Sequence, residues 1–387
     1  MFLHHANEAK GTAVKAAILE APATELIVED IEYQEPLTGE VLVRIAASGV
    51  CHSDLHVVHG TQSTPLPVVL GHEGAGIVEE VGDNVKRVKV GDHVVLSWVP
   101  YCGQCQYCLS GHPNLCSVVY SSLAAGTLLD GTSRLIRRGG PLYHYSFISS
   151  FAEYAVVPES GCVVIRPEIP LDKAALVGCA VMTGVGAAIN TAQVRPGSSV
   201  AVIGAGGVGL NIMQGAQLAG AAVIIAIDLN PSKLERATTF GATHVINPSQ
   251  IDPFEAIRQL TGGVGVDYSF EAVGLPGTMR QCWEMARPGG TVVMVGIAPE
   301  GSKLTLPAAR VVREERRLMG SFYGSARPHV DMPMILDLYI AGKIKLDELA
   351  THRFSLEEIN HAVQALESGE AVRPIIVYDN GKQAIDG

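Results

Sequence analysis

Between residues 198 and 228 the chain spells an apolar strand, a glycine turn, a helix and a second apolar strand: SSVAVI, GAGGVG, LNIMQGAQLAG, AAVIIAID. Few folds accept that order. Gly204, Gly206, Gly207 and Gly209, with Val208 between the last two, fit G-x-G-x-x-G. In that pattern the first glycine makes the turn, the next lets backbone approach a pyrophosphate, and the last lets the helix pack close to the strand. Asp228 closes the second strand, where a carboxylate can accept the two ribose hydroxyls of NAD and repel the 2′-phosphate of NADP. Lys233 fits a contact to the same ribose or a solvated helix lysine. The motif alone is weak; its setting between strand and helix strengthens it.

The alternation continues. Strands are expected at 199–203, 222–227, 244–246, 266–270, 291–295 and 318–322, with a helix at 208–218. Asn230 caps the next helix, with Pro231 at its first position and Gly241 past its end. Six strands with intervening helices make an α/β, doubly wound parallel sheet. The earlier chain reads differently, as short strands at 13–20, 41–46, 75–81 and 92–96 broken by Gly, Asp and Pro. Residues 100–150 are irregular. Ser355 and Glu358 form a capping box for a helix that ends near Gly369. The division expected is therefore a mostly β domain from 13–180 and 323–387, with a nucleotide-binding domain, 181–322, inserted.

With 387 residues, 47% of them hydrophobic and 17% charged, both domains can bury a core. A net charge of −11 argues against a nucleic-acid partner. No apolar run reaches the length of a membrane span; 176–189 comes nearest, and Gly, Cys and Thr interrupt it. The start MFLHHANEAKG lacks the pattern of a secretory signal. A cytoplasmic protein that meets neither membrane nor nucleic acid is the expectation.

Eight cysteines are present, and five stand in Gly-, Pro- and His-rich surroundings. Cys102, Cys105, Cys108 and Cys116 are spaced C-x2-C-x2-C-x7-C, in a loop no apolar core could order. Four thiolates suit a closed tetrahedral zinc. A four-iron cluster takes the same ligands, but its usual spacing places Pro after the last cysteine; here Ser117 follows. Cys51, His72 and Cys179 could form the Cys2His set, with one position open, that marks a catalytic zinc. Ser53 and Asp54 fit that site or simply cap the next turn.

CHSDLH, GHEGAGIVEEVG, the four-cysteine lobe and the GxGxxG–Asp pair fall in an order that resembles the zinc-dependent medium-chain alcohol dehydrogenases. The match spans nearly the whole chain after residue 12. DHVVLSWVPYCGQC and GTLLDGTSR look most like the long-loop, liver-type branch. The resemblance implies a GroES-like catalytic domain beside a Rossmann domain, two Zn2+ per chain, and NAD. It makes Cys51, His72 and Cys179 ligands of the catalytic zinc, and Cys102, Cys105, Cys108 and Cys116 ligands of the structural one. It gives Ser53 the hydrogen bond to the substrate oxygen and His56 the far end of a proton relay through the ribose. Asp54 and Glu73 become carboxylates behind the ligands. His52 stands where Arg often contacts the pyrophosphate, and Arg373 is a second phosphate contact. Thr183, Val273 and Val295 join the cofactor contacts.

Zinc in such a set makes an alcohol acidic near neutral pH, and the freed electron pair drives hydride to the nicotinamide. The implied pocket is Trp98, Gln62, Tyr145 and Ile297, with Leu123 as a further candidate; a core role is the alternative for the apolar ones. Apolar walls favour aliphatic, allylic or aromatic primary alcohols, giving aldehydes. The branch that oxidises the thiol adduct of formaldehyde carries an acid and an Arg at its pocket mouth, where this chain has Gln62 and Tyr120. That adduct and a non-catalytic NAD-binding role are the alternatives. The resemblance also implies a homodimer, through 304–312 and 318–322.

Overall fold

A computed structural model describes residues 13–137 and 140–379. The N-terminal segment read above for a signal, and the last residues assigned to the β domain, lie outside the described residues. The chain divides into two compact units. One comprises Met1–Cys102, Ser117–Ala175 and His352–Gly387; the other comprises Gly103–Cys116 and Leu176–Thr351.

The first unit is built from β-strands. A seven-stranded sheet runs Cys162–Val164, His93–Leu96, Glu73–Val81, Glu40–Gly49, Pro374–Val377, His352–Phe354, and Tyr154–Pro158 also pairs with the central Glu40–Gly49. That central strand is buried along its length apart from Arg44. It therefore reads as a nearly continuous apolar run rather than an alternation. A second sheet orders Leu135–Ile136, Ile27–Tyr33, Val14–Leu19, Val68–Val69 and Tyr143–His144. Ile27–Tyr33 is missing from the strands expected above because IVEDIEY is acidic and fully buries only Ile31. Ile18, Ile45, Leu70, Leu96 and Phe151 lie in the core between these strands. The capping box at Ser355 and Glu358 is present, but it opens a single 3-10 turn before the helix Ile359–Ser368, which ends at Gly369 in a left-handed conformation.

The second unit holds a six-stranded sheet, ordered His244–Ile246, Val223–Ile227, Ser199–Ile203, Val266–Glu271, Ala286–Met294, Arg317–Gly320. Every pairing is parallel. This is the doubly wound Rossmann arrangement, with its order reversing beside Ser199–Ile203. Asn230 caps the helix Pro231–Thr239 by accepting the Ser232 amide. Trp283, Ile203, Ile225 and Val292 pack the core beneath the helices.

This unit is larger than the domain expected from sequence. Residues 323–351 join it because Gln214 bonds residue 345 in both directions, and because Tyr323 donates to the carbonyl of Gly178. The lobe Gly103–Cys116 joins it through Asn114, whose amide donates to the Phe322 carbonyl at 3.0 Å. The helical stretch Leu171–Thr191 is long and apolar enough to cross a membrane by composition, yet 83% of its apolar window is buried in the protein. Its glycines explain the close packing: a Cβ on Gly184 would stand 2.5 Å from that of Asn211.

Candidate active site

Glu40–Gly49 and Glu73–Val81 are antiparallel neighbours, with Gly49 opposite Glu73. One strand ends where the other begins. Residue 51, just past the first, therefore meets residue 72, just before the second. The Cys51 thiol, the His72 imidazole and the Glu73 carboxylate offer ligand atoms within 4.8 Å of one another, all buried. A Cβ on Gly49 would stand 2.2 Å from the Glu73 carboxylate, so that position has no room for a side chain.

Asp54 holds the arrangement. It is the third residue of the helix His52–Val58, which opens at Cys51 with a capping box. Fully buried, its carboxylate accepts the Cys51 amide at 2.9 Å and the Gly71 amide at 3.2 Å, and it meets His72 Nδ1 at 3.2 Å. Burial alone would lower the His72 pKa, but the charge and hydrogen bond of Asp54 outweigh it and hold the imidazole well above its usual range. With Nδ1 engaged, Nε2 is the ring atom left for a metal. Gly71 sits at φ +86°, and a Cβ there would strike the backbone nitrogen of Phe151 at 2.6 Å.

Behind the ligands lies a buried ion pair, Arg373 to Glu73 at 3.2 Å. Arg373 also donates to the Val50 carbonyl. Burial pushes the Glu73 carboxyl up to about 7 despite that guanidinium. Ser53 is half-buried, its hydroxyl 3.8 Å from the Cys51 sulfur. Tyr145 is buried; its hydroxyl donates to the Ser53 carbonyl at 3.3 Å, and its ring meets His72 edge-on at 5.5 Å. His56, His52 and Gln62 are exposed, and His56 Nδ1 lies 3.1 Å from the Thr61 hydroxyl. Trp98 packs against the unit's core, Leu123 is half-buried, and Tyr120 is exposed.

Cys179 belongs to the second unit. It is buried on the π-helical turn Val177–Val181, an irregularity common at functional positions. In the lobe, the sulfurs of Cys105, Cys108 and Cys116 lie within 4.8 Å of one another. Burial pushes the Cys108 thiol up to about 12, and the neighbouring Cys105 and Cys116 sulfurs add to it. Three thiols so close form a ligand set for a cation such as zinc, and the chain carries Cys102 immediately ahead of them.

The glycine turn fits its expected roles. Gly204 stands at φ +97°; a Cβ on Gly209 would lie 1.7 Å from the Gly204 carbonyl oxygen. A Cβ on Gly206 would meet nothing within 4 Å, which leaves the approach to the helix Gly207–Leu218 open to a ligand. The Asp228 carboxylate accepts the Ala205 amide at 2.8 Å and the Asn230 amide at 2.9 Å, fixing it beside the turn. Lys233, Val208 and Thr183 are half-buried, Val295 is buried, and Val273 and Ile297 are exposed. Sequence reasoning missed Glu271. This buried carboxylate accepts the amides of Val273 and Gly274 and the Thr278 hydroxyl, tying down the loop that carries Val273. Its signal was an acid at the end of an apolar strand, followed closely by glycine.

The donor sets fit their groups: thiol and imidazole for zinc, an open glycine turn with a fixed carboxylate for NAD. When bound, zinc supplies Lewis acidity and the nicotinamide a hydride acceptor. The Cys51 cluster excludes water and aims one imidazole nitrogen; Ser53 offers a hydroxyl at its rim.

Known proteins agree with this reading. Residues 38–167 match the alcohol dehydrogenase GroES-like domain, and residues 207–340 match the zinc-binding dehydrogenase family. The chain is 42% identical over 380 residues to the class-3 alcohol dehydrogenase of Drosophila melanogaster, covering 96% of this chain and all of that one. It is 39% identical to the S-(hydroxymethyl)glutathione dehydrogenase of Paracoccus denitrificans, over 94% of this chain and 99% of that one. The crystal structure of benzyl alcohol dehydrogenase from Acinetobacter calcoaceticus superposes with a TM-score of 0.90 at 35% identity, over 95% and 99% of the two chains. Motifs, sheet order and relatives converge: the chain belongs to the zinc-dependent medium-chain alcohol dehydrogenases, NAD-linked oxidoreductases.

Proposed function

We propose that Cys51, His72 and Cys179 hold the catalytic zinc, that Cys102, Cys105, Cys108 and Cys116 hold a structural one, and that a primary alcohol gives up its hydride to NAD beside the first. The carrying observation is the buried Asp54–His72–Cys51 cluster, whose hydrogen bonds position Cys51 and His72. Ser53 takes the substrate hydroxyl's proton, and exposed His56, one helical turn on, passes it to water. Asp228, the glycine turn, Lys233, Thr183, Val273 and Val295 bind the dinucleotide, with His52 and Arg373 on its phosphates.

Among substrates, the relatives' names favour the hydroxymethyl adduct of a thiol, of the S-(hydroxymethyl)glutathione kind, over the plain primary alcohols expected first. One feature of the sequence favours the plain alcohols: at Gln62 and Tyr120, both exposed and matched by the resemblance to the pocket mouth, the chain has neither an acid nor a cation. The similarity to a benzyl alcohol dehydrogenase points the same way. NADH formation from formaldehyde plus glutathione, set against benzyl, allyl, hexyl, ethyl and secondary alcohols, decides between them. A kcat/KM for the adduct tenfold or more above every free alcohol supports the adduct; the reverse ranking assigns the site to free alcohols. We place the protein in the cytoplasm as a homodimer, with exposed Leu318 and Val312 at the paired edges.

A further inference from the structure

The geometry points to a second anion site in the nucleotide-binding unit, at the opposite end of its parallel strands from the glycine turn, suited to a small phosphate-bearing molecule. A cavity of about 430 Å³ opens there, lined by Arg195, Arg287, Arg317, Asp267, Tyr268 and Thr291 among others. Ser199 and Arg317 are the first residues of their strands, and Asp267 is the second of its own. Gly204 follows the last residue of Ser199–Ile203, so the two sites are about one strand length, roughly 16 Å, apart.

The charges do not cancel within the cavity. Asp267 is its one carboxylate, and that charge is already engaged: it accepts the Ser199 amide and hydroxyl, each at 2.8 Å, and Arg287 Nε at 2.7 Å. Among the described residues, neither Arg195 nor Arg317 pairs with an acid. Three guanidiniums against one carboxylate leave two positive charges on a chain whose net charge is −11. Guanidinium forks match phosphate oxygens in pairs, and a ligand dianion would neutralise the excess. The cavity falls within the size range of small-molecule sites, larger than inorganic phosphate needs.

The test is calorimetric titration of the assembled, NADH-saturated enzyme with inorganic phosphate and with glycerol phosphate, against chloride at matched ionic strength. NADH occupies the other phosphate-binding position. Saturable binding of either phosphate, weakened at least tenfold in R195Q/R317Q while NADH affinity and subunit mass stay unchanged, is the expected result. Tighter binding of the ester identifies an organic phosphate as ligand; equal binding identifies free phosphate. Heat no greater than that of chloride, or equal affinity in wild type and double variant, overturns the site.

Discussion

The two cysteine regions make opposite use of the fold. Around Cys51 and His72 the protein supplies packing and hydrogen bonds of its own. Asp54 engages two amides and an imidazole, Arg373 meets Glu73, and Val50, Leu55 and Leu70 pack alongside. The lobe Gly103–Cys116 has almost none of this. Its helix Gln106–Leu109 buries no residue, and Tyr107, Leu109 and Leu115 face solvent. On the proposed assignment an ion would stand in for a core in the lobe, whereas at Cys51 the protein itself holds the ligands in place. A protein can thus use one element as scaffold in one place and as reagent in another, and surrounding burial tells which.

The largest effect should come from removing a lobe ligand. Cys105→Ser should lose one of two zincs and cost several kcal/mol of local stability, read as rapid proteolytic cleavage within 103–116. If the lobe stayed resistant with one zinc gone, packing rather than metal would hold it. Asp54→Asn should act otherwise. The fold should persist, while affinity for the catalytic zinc falls about 10–100-fold, measured by competition with a chelator. Unchanged affinity would mean that Asp54 does not hold the ligands in place.

A smaller effect is expected from Gly49→Ala, which drives a methyl into the Glu73 carboxylate. It should cost about 1–3 kcal/mol in urea unfolding while leaving the lobe's resistance to protease intact. The smallest concerns pH. His144 is buried beside Tyr145, and its Nε2 accepts the Arg134 amide at 3.1 Å. Burial first, then the charge of Arg134, push it down to about 3. The folded chain therefore cannot take a proton that the unfolded chain takes below about pH 6.5. Its contribution is complete above that pH and declines as pH falls toward 3, by about 1.4 kcal/mol per unit. Wild type should lose this increment between pH 5.5 and 4.5, and His144→Asn should not. Equal slopes would clear His144.

What the sequence disclosed follows the same contrast. The lobe and the glycine turn were legible because each rests on local spacing: four cysteines within one loop, four glycines between a strand and a helix. Asp54 and Ser53 were legible as a cluster directly after a strand. The strand Ile27–Tyr33 was hidden by its own charges, since three of its seven residues are acids and only Ile31 is fully buried. Glu271 and the Gly49–Glu73 contact were hidden because they depend on register between distant segments, which periodicity does not reveal. The partition of 323–351 was missed for the same reason. Its hydrogen-bond partners, Gln214, Gly178, Asn190 and Thr191, lie more than a hundred residues away in sequence.

The most direct test is graded chelation, with zinc per chain, NADH formation and protease resistance followed on one sample. The account predicts that activity disappears with the first zinc while the fold survives and zinc restores turnover, and that the second zinc leaves only as the lobe opens. Loss of both ions in a single step, or full activity after one has gone from an intact lobe, would contradict it.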